Sequence, residues 1–182
     1  MKYTGQLKKA LNYAKRASQK LGHNYIGTEH LLIGLIRAKD SVASKILIAE
    51  NIQIERVLGL ISELITFEGG VSVMERDGNT PKLDLVMQTA EDEAEAAGAS
   101  EVGTAHVLIA ILKTPDCAAS RLLSSMEVNV QQTFNNVLMA MGADGEVYRR
   151  TMGERARYQR MGGYSALDMY TKDLTAMAGE GL

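Results

Sequence analysis

The chain has 182 residues, enough for one domain or for two small ones sharing a core, and its 46% hydrophobic and 23% charged content excludes wholesale disorder. Twenty Lys and Arg against 22 Asp and Glu leave a net charge of −2, so no global basic field exists to draw in nucleic acid or an anionic membrane. One cysteine excludes an internal disulfide, no apolar run reaches the ~18 residues of a membrane span, and the N-terminus lacks a signal pattern, which together point to a soluble, reducing, cytoplasmic setting.

Leu7, Ala10, Leu11, Ala14, Ala17 and Leu21 recur at helical spacing behind Thr4, a good N-cap, and Gly22 can end that helix in the left-handed conformation. A second helix starts at Thr28, which can cap it, and carries Leu31, Leu32, Leu35 and Ile36. Asp40 can cap a third with Val42, Ala43, Ile46 and Leu47, and Asn51 is a stop. Ile54, Val57, Leu58, Ile61, Leu64 and Ile65 form the apolar stripe of a fourth. The stretch 68–79, with its Gly pair and Asp-Gly-Asn run, reads as a linker or flexible loop. Four further helices follow at about 80–97, 104–113, 117–126 and 129–141. Five arginines (Arg149, Arg150, Arg155, Arg157, Arg160) and four glycines then fill 143–163 without an apolar stripe, which predicts poor order, and Ser165 to Ala178 forms a short amphipathic helix.

The eight helices are two copies of one unit. Sliding the sequence by 76 sets Thr4–Thr66 on Thr80–Gly142 without a gap, and 13 of the 63 pairs are identical, among them Gly27/Gly103, Thr28/Thr104 and His30/His106. Apolar pairs such as Leu35/Ile111 and Ile61/Val137 repeat the burial pattern as well. The fold class is therefore all-α, a pseudo-twofold bundle of two four-helix repeats, with a domain over 1–142 (repeats about 4–66 and 80–142) and a connector over 143–182.

Most catalytic tools are missing: the chain has no phosphate loop, no G-x-G-x-x-G, no H-E-x-x-H and no CxxC. His30 and His106 occupy equivalent repeat positions, which suits one structural task done twice, such as a hydrogen bond near a helix start. His23 with His30 lacks a third ligand at metal-binding spacing, and Cys117, in a first helical turn, reads as packing. Gly27-Thr28-Glu29-His30 and Gly103-Thr104-Ala105-His106 have two readings. The glycine, the threonine cap and the positive helix end can make an anion site, where Glu29 could also hold a guanidinium; or they merely turn and cap the chain. The first helix is basic where its repeat is acidic, an asymmetry that would orient a protein partner.

The run LGHNYIGTEHLLIGLIR (Leu21–Arg37), its echo VGTAHVLIAILK (Val102–Lys113) and the duplication resemble the Clp N-terminal repeat domain of Clp ATPase chaperones, especially the ClpC type. The tail LDMYTKDLTAMAGEG (Leu167–Gly181) is similar to the segment leading into their first ATPase module, so the chain is expected to be an excised fragment or a stand-alone domain of this kind. The resemblance implies a non-catalytic domain that receives unfolded or arginine-phosphorylated substrates and MecA-type adaptors for an unfoldase feeding a ClpP-type peptidase. It implies no cofactor in this chain, ATP and Mg belonging to the ATPase modules, and no metal, nucleic-acid or membrane partner. It also implies a phosphoarginine site at Thr28, Glu29 and His30, and a degenerate one at Thr104, Ala105 and His106, where the carboxylate is replaced by Ala105. Exposed apolar side chains between the repeats are an alternative seat for unfolded segments or adaptors. A rival class is a helical adaptor or small-molecule-binding protein unrelated to an ATPase ring; a DNA-binding reading of Arg149 to Arg160 is the weaker third.

Overall fold

A computed structural model describes residues 1–68 and 78–161, the side chains of 65–68 excepted. The elements run β1 (Lys2–Tyr3), α1 (Gly5–Lys20), β2 (Tyr25–Ile26), α2 (Thr28–Arg37), α3 (Val42–Ala49), α4 (Ile54–Glu68), β3 (Gly78–Asn79), α5 (Pro81–Ala96), β4 (Glu101–Val102), α6 (Thr104–Leu112), α7 (Ala118–Ser125), α8 (Val130–Ala140) and α9 (Ala143–Met161). The protein is an all-α bundle in which α2 and α6 are its innermost members. Every residue of α6 is buried, and so is every residue of α2 except Arg37. That explains why these two segments are continuously apolar rather than striped.

Local chemistry sets the boundaries. Thr4 and Thr80 each accept the amide of the residue three positions on, at 3.2 and 3.1 Å, and Pro81 opens α5 where its missing N–H has no cost. Gly22 and Gly98 follow α1 and α5 at φ 73° and 68°, the left-handed conformation predicted at Gly22. Asn51 adopts φ 60° after α3, as a stop residue should. The third helix is capped by Ser41 rather than Asp40: the Ser41 hydroxyl accepts from Ser44 N at 3.2 Å. Its repeat uses Cys117, which lies just ahead of the first turn of α7, with Sγ accepting from Ser120 N at 3.5 Å. The thiol is fully buried.

The repeats grip each other reciprocally. β1 pairs in parallel with β4 (Lys2 with Glu101, Tyr3 with Val102), and β2 pairs in parallel with β3 (Tyr25 with Gly78, Ile26 with Asn79). Thr4 N donates to Val102 O, and Thr80 N to Ile26 O, both at 2.9 Å. Each contact thus occurs twice with the repeats exchanged, which is the signature of a twofold interface. β3 lies at the end of the stretch read as a loop; residues 69–77 fall outside the described part.

Beyond the second repeat the structure departs from expectation. Residues 143–161 are not poorly ordered: they form α9, a helix of 19 residues. Its first half is seated on α8 and α5. Gly145 lets the backbones approach so closely that a Cβ there would lie 2.0 Å from Leu138 O, and Tyr148 is 2% exposed, edge-on to Phe134 and under the Lys113 ammonium. One buried side chain and a buried glycine do not produce a visible stripe, which is why the sequence pattern missed this helix. The predicted helix over 165–178 falls outside the described residues.

Candidate functional site

The Gly-x-x-His turns are built alike in both repeats. Gly27 and Gly103, in extended conformation, are the N-cap residues of α2 and α6. Each donates its N–H to the imidazole Nδ1 three residues on, Gly27 to His30 and Gly103 to His106, both at 2.9 Å. The histidines therefore do the structural work predicted for them. Each ring is an acceptor at Nδ1, so its proton sits on Nε2.

The threonines do something the sequence did not suggest. Thr28 and Thr104 are the first helical residues, not the caps, and their hydroxyls reach into the opposite repeat. Thr28 Oγ1 accepts from Ala119 N at 3.0 Å, and Thr104 Oγ1 from Ala43 N at 3.4 Å. Each satisfies an early amide of the other repeat's third helix, which that helix cannot satisfy itself. Both threonines are consequently buried.

Beyond this shared frame the two turns diverge. In the first, His30 Nε2 lies 2.8 Å from His23 Nδ1, and Tyr25 stacks on His23 at 5.1 Å while meeting His30 edge-on. Burial, and then the neighbouring His23, push the His30 ring down to about 4, so it is neutral at neutral pH. The Glu29 carboxylate folds back over Gly27: a Cβ on that glycine would lie 2.3 Å from Glu29 Oε2. A side chain at 27 would displace the carboxylate from this position. Glu29 is 4% exposed, and burial raises its carboxyl, with hydrogen bonds from its own amide and from Tyr25 acting the other way. In the second turn Ala105 supplies no carboxylate, Ala99 stands in the place of His23, and His106 Nε2 has no hydrogen-bond partner among the described residues. Beside it, Glu93 is paired with Lys113 at 2.8 Å. The predicted residues thus fall into two clusters, Thr28–Glu29–His30 and Thr104–Ala105–His106, of which only the first has a carboxylate. Among the described residues no group of three His, Cys, Asp or Glu side chains is placed to hold a metal.

A second candidate lies between the repeats. A groove of about 450 Å³ runs where α1 faces α5, with Leu11, Ile26, Leu83 and Met87 among its walls and Lys15, Asp84 and Glu91 as its charged residues. Sequence reasoning placed apolar side chains between the repeats without naming these. The signal was present: Leu11 and Met87 are equivalent positions that stay apolar although neither belongs to the fully buried set. No helix among the described residues is long and apolar enough to cross a membrane.

A family model described as the Clp repeat (R) N-terminal domain matches residues 2–126 and, in a second placement, 80–166. The chain is 29% identical over 180 residues to the chaperone protein ClpB of Oceanobacillus iheyensis. It is 31% identical over 179 residues to the negative regulator of genetic competence ClpC/MecB of Bacillus subtilis. These alignments take in 99% and 98% of this chain but only 22% and 21% of the two relatives, so the chain spans about a fifth of their length. Among solved structures, the N-terminal domain of the chaperone ClpD from Arabidopsis thaliana superposes with a TM-score of 0.59 at 16% identity, covering 77% of this chain and 97% of that one. The Hsp104 N-terminal domain from Candida albicans does so with a TM-score of 0.59 at 13% identity, covering 79% and 93%. At those identities the likeness is one of fold.

Proposed function

The chain belongs to the Clp repeat N-terminal domain family, and we propose that it is a non-catalytic receiving domain, which takes up unfolded polypeptides and adaptor proteins for a Clp ATPase. The observation that carries this reading is the groove between the repeats. It is partly apolar, open to solvent, and large enough for two or three side chains, which suits recognition of short apolar stretches without a fixed sequence. In this reading the unfoldase ring, a ClpP-type peptidase and MecA-type adaptors are partners of the larger assembly in the cytoplasm. Nucleotide and Mg belong to the ATPase modules, and binding by this domain requires neither.

Binding of dye-labelled β-casein, a protein without a stable fold, tests the groove. Leu11→Glu and Met87→Glu should each weaken binding about tenfold or more, the size expected when one apolar contact is lost and a charge is put in its place. Unchanged binding in both variants would move the receiving surface elsewhere.

The finer reading, capture of phosphoarginine, belongs to the α2 turn alone. Glu29 is the guanidinium acceptor there and Ala105 offers none, so the proposal is one site and not two. Glu29 is buried against Gly27, so its side chain must turn outward before it can receive a guanidinium. Titration with free phosphoarginine should give a stoichiometry of one, abolished in Glu29→Ala. Absence of binding, or binding that survives this substitution, removes the phosphoarginine reading and leaves the groove reading standing.

A further inference from the structure

The groove between the repeats lies on the pseudo-twofold axis, because residues 76 apart line it in pairs: Leu11 with Met87, Asn12 with Gln88, Tyr3 with Asn79, and Lys15 with Glu91. A groove on a true twofold axis cannot tell a ligand from the same ligand turned through half a circle. Two of the four pairs keep this symmetry, since Leu11/Met87 and Asn12/Gln88 exchange like for like. Tyr3/Asn79 and Lys15/Glu91 break it, and only the second does so by charge, because one is a cation and the other an anion at the same place in the two halves.

The surroundings of each charge are specific. Glu91 already faces a cation: the N-terminal ammonium of Met1 stands 4.0 Å from its Oε1. Asp84, the other carboxylate of the lining, accepts from Asn79 Nδ2 at 3.3 Å. Lys15 is exposed, and among the described residues it is the only cationic side chain lining this groove.

We infer that the groove is selective for a polypeptide segment with an apolar centre flanked by an acidic residue on one side and a basic residue on the other. The acidic residue goes to Lys15 and the basic one to Glu91, so the segment lies in one direction. The inference rests on the groove as the receiving surface and adds which segments it prefers. Opposite charges at matched positions discriminate by attraction for the right orientation and by repulsion against the turned one.

The test uses three dye-labelled, end-capped peptides with the common centre Leu-Phe-Met-Leu. One carries a Glu pair at one end and a Lys pair at the other, one has Glu pairs at both ends, and one has Lys pairs at both. The protein should bind the mixed peptide about three- to fivefold more tightly than either uniform one at low salt, the range open to exposed ion pairs. Glu91→Lys should move the preference to the all-Glu peptide, and Lys15→Glu to the all-Lys peptide. The double exchange should restore preference for the mixed peptide, with a spin label on its Glu end now found beside residue 91 instead of residue 15. Equal binding of the three peptides, or variants that keep the original preference, overturns the inference while leaving the groove as the receiving surface. Failure of all three to bind overturns both.

Discussion

Gly27 and His30 illustrate how one turn couples several demands. The glycine lets the Glu29 carboxylate fold over it, and is not demanded by its own backbone angle, which is extended and open to any residue. His30 is required as an acceptor for the Gly27 amide, a role available only to the neutral ring. This gives a pH dependence with a definite sign. The ring is held at about 4 in the fold against about 6.5 when unfolded, so the unfolded chain binds the extra proton and acid favours it. The contribution is complete above about pH 6.5 and is lost as pH falls towards about 4, with a limiting slope of about 1.4 kcal/mol per pH unit. Glu29, whose carboxyl is raised, acts in the opposite sense at the acidic end of this window. Urea unfolding between pH 7.5 and 4.5 should therefore show stability falling with acidification, and His30→Gln should be less stable at neutral pH but flatter across the range. An equal slope in the variant would show that another group carries the proton.

Among the described helices, α9 is the one whose existence depends on contacts instead of pattern. Its second half exposes Arg155, Arg157, Tyr158, Arg160 and Met161, and its first half is held by Gly145 and Tyr148. A methyl group at 145 would meet the backbone of α8, where no side-chain rotation can relieve it. Gly145→Ala should cost about 1–3 kcal/mol despite the better helix propensity of alanine. Gly153→Ala, in the same helix with nothing near its Cβ position, should stabilise by about 0.5–1 kcal/mol. Thermal melts with hydrogen exchange over 143–161 check both; two stabilised variants would mean that the α8–α9 crossing is not close-packed. The same logic operates at Gly34, where a Cβ would lie 2.1 Å from Ala10 O, whereas the equivalent Ala110 tolerates one. The two repeats cannot therefore pack their first two helices identically.

At the scale of the whole molecule, the duplication is both the architecture and the source of specificity. Reciprocal strand pairs and the exchanged Thr28 and Thr104 hydrogen bonds make each repeat complete only against the other. The same symmetry places a groove on its axis, and divergence at Lys15 and Glu91 then gives that groove a direction. What the sequence by itself determined is what local chemistry and periodicity control: the repeat, the positions of the eight repeat helices, the cap at Thr4, the stops at Gly22 and Asn51, and the histidine hydrogen bonds at the turns. These depend on residues within a turn or two of one another. Only the tertiary structure decided where Thr28 sends its hydroxyl, that Glu29 is folded shut over Gly27, that 143–161 is a seated helix, and which side chains face one another across the axis. Apart from Glu29, which is two residues from Gly27 and whose fold-back goes with its burial, those outcomes depend on partners 61 to 91 residues away, or on a single close backbone approach. Periodicity carries no record of which buried face meets which.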